Sequence, residues 1–286
     1  MLQIGDIKIY VLNDADTLVD PGGPFGLVPR LLYSRYFEPD ANHLVPMSTT
    51  TLYVEAGDQK IVVDTGFGTR MGEDALARWH VSRPKGDLTT QLAFLGVSAD
   101  DITLVIDTHL HSDHCSGNVK FADDGETLLP TFPNAEYVVQ RGEYDDAMHP
   151  NERTRATYLS ENYADLVASG QMRLLDGDTD LAPGIRGVVT PGHTPYHMSV
   201  RFESEGQHAA YLCDMASYAV HFERLGWMTA YDVEPLRTLD TKRTWQQWAL
   251  ETNAVVIFPH DSKRPTGRLT QTERGHMLVV PVQDYD

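Results

Sequence analysis

Cysteine is scarce: two residues in a chain of 286 cannot form a disulfide framework, which points to a reducing, cytoplasmic setting. Long hydrophobic runs are missing, the longest being about 6 residues against the ~20 that a membrane helix needs. The opening MLQIGDIKIYVLND carries Asp6 and no long apolar segment, so no secretory signal is expected. Positive charge is short as well, with 23 Lys and Arg against 41 Asp and Glu and hence a formal charge of −18. Without a Lys/Arg block, phosphate neutralisation cannot drive nucleic-acid binding, and a broad basic surface for a polyanion is excluded. A single phosphate or carboxylate in a local pocket stays open. Repeats, low-complexity tracts and Gly/Ser/Pro-rich linkers are absent.

What remains is globular. Hydrophobic residues at 41% and charged residues at 22% separate the chain from disordered and collagenous compositions. The length suffices to bury a large core, and residues 1–286 read as a single domain. Segment 18–48 is punctuated by Pro and Gly but rich in large apolar groups, which suits an ordered loop packed on something. A second subunit is one candidate, making a homodimer an expectation.

Short β-branched runs recur at 7–12, 50–55, 60–63, 103–106, 137–139, 185–189, 198–202, 209–212 and 255–258, each of strand length. Helical spacing appears at 69–78, 88–95, 143–168 with a break near Pro150, and 239–252. Strands followed by helices in both halves predict an α/β fold of two packed β-sheets with helices outside.

The decisive segment is Thr-His-Leu-His-Ser-Asp-His, residues 108–114. It places His109, His111, Asp113 and His114 directly after an apolar run. Imidazole and carboxylate at this density read as a metal site suited to Zn, Mn, Fe or Co. Three more apolar runs lead to a donor: 185–189 to His193, 209–212 to Asp214, and 255–258 to His260. Singly these are weak, but four strand ends that all deliver His or Asp describe a cleft at one sheet edge. Seven donors exceed the needs of one tetrahedral ion. They divide into His109, His111 and His193 for one metal and Asp113, His114 and His260 for a second. Asp214 is left to bridge, and a hydroxide shared by the two ions becomes the nucleophile.

On these residues the chain resembles the metallo-β-lactamase fold superfamily, over about residues 5–265. Val63-Asp64-Thr65-Gly66, Pro191-Gly192-His193-Thr194 and Leu92–Leu95 before Gly96 belong to the same resemblance. It implies an αβ/βα sandwich with a dinuclear site, two divalent ions with Zn first and Co, Mn or Fe as alternatives. One departure is Ser116-Gly117, where a Gly-Gly pair usually follows the motif. Asp214 in place of Cys points away from the zinc β-lactamases, and His111 in place of Glu points away from diiron redox relatives. The nucleases of the superfamily carry an added domain and basic surfaces, which this chain lacks.

Pro150–Thr154, Tyr158, Trp227, Tyr231-Asp232 and Pro235 resemble quorum-quenching N-acyl-homoserine lactonases and their methyl-parathion-hydrolase-like relatives. The resemblance implies a hydrolase in which a metal-bridging hydroxide attacks the carbonyl of a small neutral lactone. The alternative is an organophosphate, aryl-ester or carbamate hydrolase with lactonase as a side activity. Asp113 is then also a catalytic proton shuttle, and Tyr218 donates to the substrate carbonyl or leaving oxygen. Tyr196 and His197 are weaker candidates for contact with the substrate. Asp64 is expected behind the ligands, accepting from an imidazole or the motif loop. Phe25, Leu27, Phe67, Met71, Phe222 and Trp227 are expected to form the apolar substrate groove. Cys115 and Cys213 read as small buried hydrophobes, Trp245 and Trp248 as core, and 176–180 as a solvated acidic turn.

Overall fold

The apolar runs all become strands in the computed structural model, which describes residues 1–282. The first half supplies β1 (Leu2–Ile4), β2 (Ile7–Val19), β3 (Val45–Ala56), β4 (Gln59–Val63), β5 (Leu104–Ile106), β6 (Val119–Phe121), β7 (Leu128–Pro130), β8 (Glu136–Gln140) and β9 (Met172–Leu175). Seven of these form one sheet in the order β1-β2-β3-β4-β5-β8-β9, antiparallel as far as β4 and parallel beyond it. β6 and β7 pair as a separate hairpin.

The second half supplies β10 (Thr179–Ala182), β11 (Ile185–Val189), β12 (Met198–Ser204), β13 (Gln207–Tyr211), β14 (Val255–Ile257), β15 (Thr266–Gln271) and β16 (Met277–Pro281). They pair in chain order, all antiparallel except β13 with β14.

The central strands are continuous apolar runs because both of their faces are covered. Ile61, Val63, Leu104, Ile106 and Val138 point into the layer between the sheets, against Met198, Val200, Phe202, Ala209, Tyr211, Val255 and Ile257. Val62, Val105, Tyr137 and Val139 point outward and are covered from the helices Leu88–Phe94, Arg141–Met148 and Ala164–Ala168 by Leu88, Leu92, Ala147 and Leu166. Trp245 and Ala249 of the helix Pro235–Thr252 cover Ala210, Val256 and Phe258 of the second sheet. The result is the expected αβ/βα sandwich.

One helical expectation changes and another is met. The helix expected at 69–78 starts only at Glu73, after Gly72 in extended backbone. The stretch 143–168 breaks near Pro150 as expected: beyond it, Asn151 accepts through its side chain from the Arg153 and Thr154 N–H groups, and turns replace helix as far as Ala164. The run from Ile7 continues to Val19 through a bulge between Asn13 and Ala15. Buried Asp14 there accepts from the Phe67 and Leu88 N–H groups at 3.0 and 3.1 Å. The acidic stretch 176–180 runs on into β10, where exposed Asp180 pairs with Arg186 at 2.7 Å.

Strand direction positions the site. β11 and β13 are both antiparallel to β12, and β13 is parallel to β14, so all three point to one edge. The turn that follows β5 meets them there. Gly117 keeps that turn tight, because a Cβ on it would lie 2.2 Å from the Thr65 carbonyl oxygen. Ser116 is tolerated and accepts from Asn162 Nδ2 at 3.0 Å. Gly117→Ala is expected to cost about 1–3 kcal/mol in urea unfolding, and Ser116→Gly only about 1 kcal/mol.

Candidate metal centre

Beyond β5 the chain runs to His111, then turns into the short helix Ser112–Cys115. Asp214 stands opposite, between two groups of donors. Its Oδ2 lies 3.1 Å from His193 Nε2, 3.4 Å from His114 Nε2 and 3.8 Å from His109 Nε2, while its Oδ1 lies 3.1 Å from His260 Nε2. His111 Nδ1 is 3.0 Å from His193 Nε2, and Asp113 Oδ2 is 3.7 Å from both His114 Nε2 and His260 Nε2. The donor atoms of His109, His111, His193 and Asp214 lie within 4.8 Å of one another, as do those of Asp113, His114 and His260. All seven side chains expected as donors therefore come together at this edge, and Cys213 lies within the same reach of His109 and His114.

The residues fit a pair of cations. His109 Nε2 and His114 Nε2 are buried and have no hydrogen-bond partner among the described residues. Their other ring nitrogens are held: His109 Nδ1 by Thr108 Oγ1 at 3.1 Å and His114 Nδ1 by Asp64 Oδ2 at 2.9 Å. His193 Nδ1 donates to Asp232 Oδ1 at 3.0 Å and His260 Nδ1 to the Ser48 carbonyl at 2.7 Å. An imidazole that donates from Nδ1 keeps its Nε2 lone pair for a metal.

Electrostatics agrees with this. Burial and the neighbouring imidazoles push His109 and His111 well below their ordinary range. Burial opposes a charge on Asp214, but His260, His193 and His114 outweigh it and hold the carboxyl well below its usual range. Burial also opposes a charge on His193, and the Asp214 and Asp232 carboxylates override it, lifting the imidazole to about 10. Positive charge around an ionised carboxylate is what divalent ions supply.

Groups behind the donors fix their directions. Asp64, in left-handed backbone at φ 55°, accepts from the Thr108 N–H at 2.8 Å as well as from His114. His197 donates from Nδ1 to Thr190 Oγ1 at 2.7 Å and accepts the Asp214 N–H at Nε2, 3.2 Å away. Burial and His193 hold His197 at about 3, so it is a neutral backbone clamp and makes no contact with the cavity. Sequence reasoning missed Glu143, which is fully buried and accepts from the Leu110 N–H at 3.1 Å, Tyr158 at 3.0 Å and Thr194 at 2.5 Å. Nothing in the pattern marks a carboxylate on an amphipathic helix as buried. Asp232 was visible only as part of the Tyr231-Asp232 resemblance.

A cavity of ≈ 390 Å³ opens over the cluster. Phe67, Met71, Asp113 and Tyr218 line it. Four expected groove residues do not. Phe25 is buried behind the wall, stacked on Tyr33 at 4.8 Å and 5.6 Å from the Tyr218 ring. Leu27 is wholly exposed to solvent, Phe222 is buried against Phe258, and Trp227 packs edge-on against Tyr36. Closeness in sequence to Asp214 or to the loop did not reveal which way these side chains turn. Tyr196 is exposed and packs over Gly142. Cys115 and Cys213 are free and buried, Cys213 lying 3.3 Å from Asp64 Oδ2. Glu143→Leu, which strips three donors of their acceptor, is expected to cost about 3 kcal/mol in chemical unfolding.

The model of the metallo-β-lactamase superfamily matches residues 44–260. An N-acyl homoserine lactonase from Bacillus cereus is 28% identical over 224 residues, covering 75% of this chain and 81% of that one. Another, from a Bacillus species, is 29% identical over 174 residues, 60% of this chain, and the match spans only 61% of that relative's length. A probable metal-dependent hydrolase from Staphylococcus aureus superposes over 100% of both chains with a TM-score of 0.87 and 26% identity. AidC, a dizinc quorum-quenching lactonase in complex with a product, N-hexanoyl-L-homoserine, shares the fold at TM-score 0.78 and 20% identity over 100% of this chain and 97% of that one. The sandwich, the His/Asp cluster at its edge and the match across most of the sequence lead to one conclusion: the chain belongs to the metallo-β-lactamase superfamily.

Proposed function

We propose that the protein is a cytoplasmic, single-domain, dinuclear metal-dependent lactonase that opens N-acyl-homoserine lactones. The cavity over the donor cluster carries this conclusion. Its floor holds His111, Asp113, His193, Asp214 and His260, and its walls include Phe67, Met71, Trp79 and Leu159. Such a space takes a polar ring at one end and an aliphatic arm at the other. The lactonase relatives, and the acyl-homoserine product held by AidC, support the same choice.

His109, His111 and His193 would hold one divalent cation and Asp113, His114 and His260 the other, with Asp214 shared; zinc is the first choice, and cobalt, manganese or iron suit the same donors. Bound there, the ions supply Lewis acidity and bring the pKa of water toward neutrality. The chain's own groups do the rest. Asp113, with 23% of its side chain exposed, takes a proton from the attacking water and returns it to the ring oxygen. The water oxygen bonds to the carbonyl carbon, the ring C–O bond breaks, and a hydroxy acid leaves. The Tyr218 hydroxyl is buried without a partner among the described residues and lines the cavity, and burial pushes its pKa up, so it stays a phenol able to donate to the substrate oxygen.

For zinc-loaded protein, kcat/KM on N-hexanoyl-homoserine lactone is expected to exceed that on paraoxon by at least about 100-fold, and His111→Ala is expected to lose nearly all lactone turnover. The reverse preference would make the protein an organophosphate or aryl-ester hydrolase with lactonase as the side activity. Tyr218→Phe is expected to lower kcat/KM on the lactone about 100-fold. Because that hydroxyl has no partner to lose, the melting temperature should not fall.

A further inference from the structure

Arg70 is the only Lys or Arg among the described residues that line the cavity. One of its amino groups donates to Asn162 Oδ1. Asn162 is itself buried and donates to Ser116 Oγ at 3.0 Å, which ties the guanidinium to the turn that carries Asp113 and His114. The Nε of Arg70 is buried and has no hydrogen-bond partner among the described residues. Burial lowers the basicity of the group, and Glu161, on the same wall, partly restores it. Arginine stays charged under such conditions.

We infer that Arg70 sets specificity for the acyl arm, donating a hydrogen bond to a neutral carbonyl oxygen on that arm. A buried N–H without a partner gains more from an acceptor carried in by a bound molecule than a solvated donor does, and a charged donor gains most. One amino group of the guanidinium is already held by Asn162, so little side-chain freedom is lost when the acceptor arrives. Its neighbours on the wall, Phe67, Met71, Trp79 and Leu159, suit an aliphatic chain. Glu161, the lining carboxylate that is not among the donors, faces the guanidinium electrostatically and opposes a carboxylate on that chain, which leaves a neutral carbonyl as the acceptor. In an acyl-homoserine lactone this is the amide carbonyl, or a keto group further along the arm. The inference rests on the lactonase proposal and adds a determinant of substrate choice to it.

The test compares three lactones on zinc-loaded protein: γ-nonalactone, with an alkyl arm and no carbonyl on it; N-hexanoyl-homoserine lactone; and N-(3-oxohexanoyl)-homoserine lactone. Arg70→Met is expected to raise KM about tenfold or more on a substrate whose arm carbonyl meets the guanidinium, and to leave γ-nonalactone within about twofold. Loss on both acyl-homoserine lactones identifies the amide carbonyl as the acceptor, and loss on the 3-oxo compound alone identifies the keto group. Arg70→Lys, which keeps the charge but not the Nε donor, should recover only part of the loss. If Arg70→Met melts several degrees below wild type, Arg70→Lys is compared on the same three substrates in its place. Equal loss on all three, or no loss on either acyl-homoserine lactone, overturns the inference while lactonase activity stands. Absence of lactone turnover by the wild type overturns the lactonase proposal, and this inference with it.

Discussion

Asp214 is the group on which the rest of the site depends. One of its oxygens faces His193, His114 and His109, and the other faces His260. Five imidazoles and two carboxylates packed at a buried edge have little water to solvate them, and a carboxylate in that position demands positive charge nearby. The demand is built into the fold. The Asp214 N–H is clamped by a histidine held neutral for that task, and four of the donor imidazoles are anchored through Nδ1.

The anchors come from elements far apart in the chain. Asp64 follows β4, Ser48 lies in β3, Glu143 in the helix after β8, and Asp232 in the loop before the last long helix. Each ties a donor-bearing loop to a neighbour, so the donors belong to one network rather than to separate flexible loops. Tyr211 adds a bond between the sheets, donating to the Thr50 carbonyl at 2.8 Å. The outer wall of the cavity is built differently. Residues 71–80 are half-buried or exposed, and Met71 and Trp79 reach the cavity from this segment. Substrate preference can therefore change there without disturbing the donors, which is the usual division between a rigid site and the loops around it.

The clustering of the seven His and Asp side chains and the sandwich were legible in the sequence for a common reason. Short runs covered on both faces, such as Ile61–Val63 and Leu104–Ile106, show as unbroken apolar stretches, and the residues just beyond them must lie at a sheet edge. Strands with a solvated face were harder to see: β10 begins within an acidic turn, and β15 and β16 carry exposed polar and apolar residues alike. The cavity walls were the least legible. Phe25, Phe222 and Trp227 have the composition expected of a groove, but whether an aromatic ring faces a cavity or the core depends on local backbone direction, which composition does not encode. Glu143 and Arg70 escaped for the opposite reason: each is a charged residue whose position, buried for Glu143 and half-buried at the cavity for Arg70, is set by tertiary packing.

The most direct test is the number of ions held per chain, measured by elemental analysis after loading with zinc and removal of excess. The expected result is about two ions for the wild type and at most about one for Asp214→Asn, because the shared carboxylate balances charge in both groups. One ion per wild-type chain, or two retained by Asp214→Asn, would contradict a centre in which Asp214 serves both metals.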